Sequence, residues 1–197
     1  VVAKIDAPFN DVKELVAAAE ARPGSIAYAT PGTGSIDHVA GEWMAVEAHI
    51  KLLHVPYRGG PAAAEAVAAG DVPLGVVTPS SVKALIDGGK VKVIALTGKK
   101  RPESLPASWP TLEERGLAVD AVLWNGLFAP TGTPPDIVEK LENAVTRILA
   151  EDKVKALLNA SGIDAELVTG EAFAKRIRSE VARYNEVIRL TGIKIDH

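Results

Sequence analysis

The residues of this chain best suited to chemistry lie between Thr30 and His38, in the run TPGTGSIDH. The hydroxyls of Thr30, Thr33 and Ser35 alternate with Gly32 and Gly34, and the Asp37 carboxyl and the His38 imidazole follow. A glycine-rich turn that opens a helix leaves backbone N–H groups unpaired and aimed outward. With the positive end of the helix dipole behind them, such a cup attracts anions, at roughly 0.3–1 kcal/mol per favourable charge and more when partly buried. The plainer alternative is a βα turn that needs glycine only for its dihedral angles. A dinucleotide fingerprint would require glycine at position 37, where Asp37 stands, and a phosphate loop would require a lysine that does not follow Gly34. A nucleotide is therefore not indicated.

Other reactive patterns are weaker. Ser80-Ser81-Val82-Lys83 matches Ser-x-x-Lys but comes without its companion motifs, so a hydrolase is poorly supported. Gly-x-Ser-x-Gly and His-Glu-x-x-His do not occur. His38, His54 and Asp37 could be drawn together as a metal site, but the helix and strand ends that carry the histidines need not converge. No catalytic residue, metal or cofactor is assigned. His38 can donate to a carboxylate or hydrogen-bond a neighbouring carbonyl. Tyr57 can wall a pocket or sit in the core with its hydroxyl outward. Arg58 can pair with an anion or lie exposed. Trp124 can line a cleft or pack at a crossover.

The elements that must hold these residues follow from periodicity and punctuation. Ile26–Ala29 reads as a strand, with Thr30–Gly34 as the turn and Ser35 as N-cap of a helix to about Glu47. Leu52–Val55 is a second strand, and Tyr57, Gly59 and Gly60 lead into a helix with Pro61 at its first position and Gly70 at its end. Val72–Val77 is a third strand, which Pro73 and Gly75 mark as an edge or a bulge. Thr78-Pro79 opens the next helix, Val91–Leu96 is a fourth strand, Thr111–Arg115 a short helix, and Val119–Trp124 a fifth extended segment. Before all of these, Asn10 caps a helix that Pro23-Gly24 ends. After them come helices alone: one opening at Pro134 or Pro135, one from Asp152 to Gly162, and a long one capped by Thr169 and running to about Leu190.

Alternating strand and helix gives an α/β fold, a mostly parallel sheet with helices on both faces. In such sheets ligands bind beyond the carboxyl ends of the strands. Three loops share that edge: Thr30–Ser35, Pro56–Gly60 and Thr78–Ser81. Three helix starts facing one crevice would suit a carboxylate, recognised by backbone donors without a full positive charge. The C-terminal third has no strands of its own, so its helices need a sheet from elsewhere.

The chain has 197 residues, enough for one large domain or two small lobes, and is 47% hydrophobic and 24% charged with a net charge of −3. No basic stripe with interleaved aromatics is present, which makes nucleic acid a poor partner. There is no cysteine and no apolar run long enough to span a membrane. No signal peptide is visible, and VVAKID reads as the middle of a longer protein.

HVPYRGG at 54–60, TPGTGSIDH at 30–38, LFAPTGTP at 127–134 and the final long helix resemble the Bug (TctC-like) family, the substrate-binding proteins of tripartite tricarboxylate transporters. The resemblance covers the whole chain, with the motifs in family order. It implies a periplasmic binding protein of the second type, two lobes around a cleft, without catalytic activity. Such a receptor takes up a small carboxylate and delivers it to membrane permease subunits. The ligand loops would fall on Thr30, Gly32, Thr33, Gly34 and Ser35 with His38 behind, on Tyr57, Gly59 and Gly60, and at Val77-Thr78, with Trp124 at the cleft. Many relatives carry an acidic or amide pair where Val77 and Thr78 stand, which favours plain carboxylates over amino acids here. Residues 1–124 would form the second lobe and 125–197 the returning part of the first, whose proline- and glycine-rich ligand loop has no match in this chain. An incomplete first lobe would favour self-association. A small-molecule sensor or protein-interaction module is the alternative; binding of a protein partner and no solute would mark it.

Overall fold

The computed structural model describes residues 1–193. Its elements run β1 (Val2–Lys4), α1 (Val12–Ala21), β2 (Ala27–Thr30), α2 (Ile36–Glu47), β3 (Leu53–Pro56), α3 (Gly60–Ala69), β4 (Leu74–Gly75), α4 (Pro79–Asp87) and β5 (Val91–Val93). A 3-10 turn (Glu113–Arg115) and three helices follow: α5 (Pro135–Ala150), α6 (Asp152–Ala160) and α7 (Gly170–Thr191).

The strands form one sheet in the order β3-β2-β4-β1-β5. β2 is parallel to β3 and β4, whereas β1 is antiparallel to both β4 and β5, so four strands point one way and β1 against them. Alternation along each strand divides the core. Ala3, Tyr28 and Leu74 pack with α1 and α2 on one face, and Val2, Ala29 and Val77 pack with α3 and α4 on the other. The mostly parallel sheet covered on both faces is as the sequence predicts.

Several local expectations are corrected. Asp11, not Asn10, caps α1: its Oδ1 accepts the Glu14 N–H (2.8 Å), while Glu14 Oε2 reaches back to the Asn10 N–H (2.7 Å). The pair resembles a capping box, with the carboxylate returning to the N–H just before the cap and the cap one residue later than the expected start. The strand expected at 72–77 shrinks to two residues and is interior, between β2 and β1. Pro73 stands outside the ladder, so its missing N–H costs nothing there, and its carbonyl accepts from the Lys4 N–H (3.1 Å). Residues 119–124 form no strand. Ala121 and Thr97 exchange two hydrogen bonds (2.9 and 2.8 Å), and Val122 and Leu123 then lie exposed. Pro61 is the second residue of α3, which begins at Gly60.

The C-terminal helices are packed differently. α7 lies against α2 and buries Glu180 and Val187. α5 and α6 bury no residue, and Leu127, Phe128, Leu141 and Leu157 are each more than half exposed.

Candidate functional site

The parallel run of β2, β3 and β4 brings the three helix-opening loops to one edge of the sheet, where hydrogen bonds join the first two and the third packs against the second. The Tyr57 N–H donates to the Thr30 carbonyl and the Gly59 N–H to the Pro31 carbonyl, both at 2.9 Å. The second and third loops touch at Gly60, where a Cβ would lie 2.2 Å from Ser81 Oγ. Thr78 Oγ1 is 3.0 Å from Ser81 Oγ. Val77 is 8% exposed and packed in the core, so of the carried-over pair only Thr78 is at the loop surface.

The first loop is held from inside. Ser35 caps α2, accepting the His38 N–H on its Oγ (3.2 Å) and donating its own hydroxyl proton to the Gly32 carbonyl (2.8 Å). Gly34 has φ of 76°, a conformation that disfavours other residues. Its N–H donates to His38 Nδ1 (3.1 Å). That bond places the proton of a neutral His38 on Nε2. The N–H groups of Thr33 and Ile36 have no acceptor among the described residues. They are unpaired donors at this loop, with Thr33 exposed at the tip.

Beneath the loop lies a feature the sequence left open. His38 and His54 converge as a stacked pair, with ring centroids 3.7 Å apart and planes 10° from parallel. His54 Nε2 is 2.7 Å from Thr30 Oγ1, and Tyr28 stands 5.2 Å from the His54 ring and donates its hydroxyl proton to Glu42 (2.5 Å). From the sequence neither His54 nor Glu42 is assigned to this edge, whereas Ser81 falls in the expected third loop. His54 reaches this place through the register that sets it beside Tyr28 on the adjacent strand. No group of three or more His, Asp or Glu side chains among the described residues is placed to hold a metal ion.

Burial sets the electrostatics. It lowers the His38 and His54 imidazoles, His54 to about 4, with His38 adding to the effect at His54 and Glu42 opposing it at His38. Both rings are then neutral at pH 7. Burial also raises the Asp37 carboxyl to about 6. Between the ordinary imidazole value near 6.5 and about 4, the unfolded chain takes a proton at His54 that the folded chain refuses, so this contribution to stability is lost as pH falls. Asp37, whose folded value is raised, works in the opposite sense below about 6. The His54 part is isolated by comparison with His54→Gln. The stability advantage of the native chain in urea unfolding should shrink steadily from pH 7 to pH 4; an advantage independent of pH would refute it.

Trp124 is tied to α7 and not to the three loops. Its indole N–H donates to Glu180 Oε2 (2.7 Å), Phe173 packs edge-on at 5.3 Å, and the Arg176 guanidinium lies 5.8 Å from its ring. With Ile36, Val122, Val181 and Tyr184 it lines a mostly apolar hollow of about 230 Å³ beside the start of α2. Arg58 is exposed, and Tyr57 is half-buried against the α3 side of the core.

The family model described as the tripartite tricarboxylate transporter family receptor matches residues 1–193. A UPF0065 protein encoded in the tcbD–tcbE intergenic region of Pseudomonas sp. (strain P51) is 32% identical over 188 residues, which are 95% of this chain and 56% of that protein. Among solved structures, R. palustris Rpa4515 with adipate superposes with a TM-score of 0.88 at 26% identity, covering 98% of this chain and 64% of that one. MatC from Rhodopseudomonas palustris with bound malate gives 0.81 at 27% identity, covering 95% and 65%. The chain thus spans between half and two-thirds of the length of these proteins.

Proposed function

Because the chain belongs to the family of tripartite tricarboxylate transporter receptors, we propose that it is the ligand-holding portion of a periplasmic solute receptor. It captures a small carboxylate and passes it to membrane permease subunits, without catalysing a reaction. The observation that carries this reading is the meeting of three helix-opening loops at one sheet edge, the first two hydrogen-bonded together and the third packed on the second, with the free N–H groups of Thr33 and Ile36 at the glycine-rich one. The ligand would lie against Gly32, Thr33, Gly34, Ser35, Tyr57, Gly59, Gly60 and Thr78, with the Thr33 and Ile36 N–H groups as donors, the fully buried Thr30 beneath them, His38 behind the loop and Trp124 at the margin. The adipate and malate held by the two R. palustris proteins point to dicarboxylates as the first class to try.

In this reading residues 1–124 form one lobe and 125–197 part of the other. The absence of any buried residue in α5 and α6 supports the division, because those helices present apolar side chains that a complete lobe would cover. The same exposed face supports self-association of the chain, which a concentration series in sedimentation velocity would reveal.

The reading is tested by thermal shift against mono-, di- and tricarboxylates, with the corresponding amides as neutral controls. A ligand at a hundred times its Kd adds about 2.7 kcal/mol, and for a chain of this size that is a rise of roughly 5–10 °C. A rise with a carboxylate and none with its amide is expected. Equal shifts with acid and amide, or none with any carboxylate while a protein partner binds, would overturn it in favour of an interaction module.

A further inference from the structure

The chain builds the same local device three times, and one copy differs in a chemically telling way. At α1, Asp11 accepts the Glu14 N–H and Glu14 accepts the Asn10 N–H. At the 3-10 turn, Thr111 Oγ1 accepts the Glu114 N–H (3.1 Å) and Glu114 Oε2 accepts the Thr111 N–H (2.9 Å). At α2, Ser35 accepts the His38 N–H and His38 Nδ1 accepts the Gly34 N–H. In each the cap accepts an N–H from three residues on; the return bond reaches the cap itself at Thr111, and at α1 and α2 the N–H just before it, four residues back. The first two close with a carboxylate, which favours a helix start. Only the copy at the glycine-rich loop closes with a neutral acceptor.

We propose that His38 is a positioning residue for the carboxylate site: it fixes the loop through the Gly34 N–H, as Glu14 fixes the start of α1, without adding a negative charge where a carboxylate must bind. This rests on the receptor reading above. A glutamate at 38 would satisfy Gly34 equally well but would repel an incoming anion within the first turn, where dipole and charge act most strongly. The His54 ring stacked on His38 holds the imidazole in place, and its own Nε2 is engaged with Thr30 on the same loop. The other ionisable groups about His38 are Asp37 and Glu42 on its own helix and Tyr28 on β2.

Three variants separate the parts of the proposal: His38→Gln keeps a neutral acceptor, His38→Glu keeps an acceptor with charge, and His38→Leu keeps neither. Affinity is measured with adipate and malate at pH 8, where His54 stays neutral and does not compensate the new carboxylate. Gln should bind within about threefold of the native chain, and Glu and Leu at least about tenfold more weakly, one cap or charge contact of ~1.4 kcal/mol being tenfold. Hydrogen exchange at the Gly34 amide reads the positioning without any ligand: Leu should speed it at least about tenfold, and Gln and Glu should not. Native-like affinity in the Glu variant overturns the role of charge, and native-like affinity and exchange in the Leu variant overturn the positioning. A native chain that binds no carboxylate overturns the receptor reading, and the Gly34 exchange rates then still decide whether His38 holds the loop.

Discussion

Replacing Gly41 with alanine is expected to lower the melting temperature by about 4–8 °C. A Cβ at Gly41 would lie 2.4 Å from Tyr28 Cε2 and 3.0 Å from Cζ. Tyr28 is fully buried, and its hydroxyl is pinned to Glu42 at 2.5 Å, so the ring has no room to swing aside. Overpacking of this kind costs ~3 kcal/mol, of which the better helix propensity of alanine recovers about 1. The net ~2 kcal/mol corresponds to the stated shift in a chain of this length, at about 2–4 °C per kcal/mol. Any displacement of Tyr28 reaches His54, 5.2 Å away, and through it the ring of His38. Combination with Tyr28→Leu should therefore cost less than the sum of the two single changes. An unchanged melting temperature, or strict additivity, would mean that α2 sits farther from β2 than its helical glycine implies.

The second large effect concerns binding. Gly34→Val should weaken carboxylate affinity by about tenfold or more while leaving the core folded. At φ of 76° a non-glycine residue costs ~1–2 kcal/mol, and a β-branched one more. The loop relieves that strain by turning its peptides, which moves the Thr33 and Ile36 N–H groups proposed to receive the anion. Isothermal titration with a carboxylate probe, alongside circular dichroism, separates the two readouts. Native-like affinity in this variant would show that the ligand does not use those donors.

Elements with strong punctuation were legible in the chain. Ser35 as a cap, Gly70 as a left-handed stop and the three converging loops all follow from local rules, because cap and turn geometry depend on neighbours a few residues away. What escaped depends on distant partners. Pro73 looked like an edge marker, but the ladder of β4 is only two residues long and needs no N–H from it. Val119–Trp124 has strand composition, yet its backbone pairs with Thr97 alone among the described strands and loops flanking it and builds no ladder. The stacked histidines were hidden for the same reason. His38 sits on α2 and His54 on β3, and only the parallel register that sets Tyr28 beside His54 brings the rings together. Ser35-x-x-His38 did carry the spacing of a reciprocal cap, which was readable had histidine been counted as an acceptor.

The place of β1 in the sheet sets an order on folding. Val2 is paired with Gly75 on one side and Val93 on the other, so this interior strand has no partner until segments some seventy to ninety residues away come back to it. Until they do, the apolar segment Val1–Ala3, covered in the finished fold, stays open to other chains. Helical turns of α1, α2 and α3 can form meanwhile, since their backbone hydrogen bonds are local, but the sheet cannot close. Pairings between segments so far apart also slow folding of the finished chain. Expression at lower temperature or with a holding chaperone should therefore raise the soluble yield more than any change to the exposed face of α5 and α6.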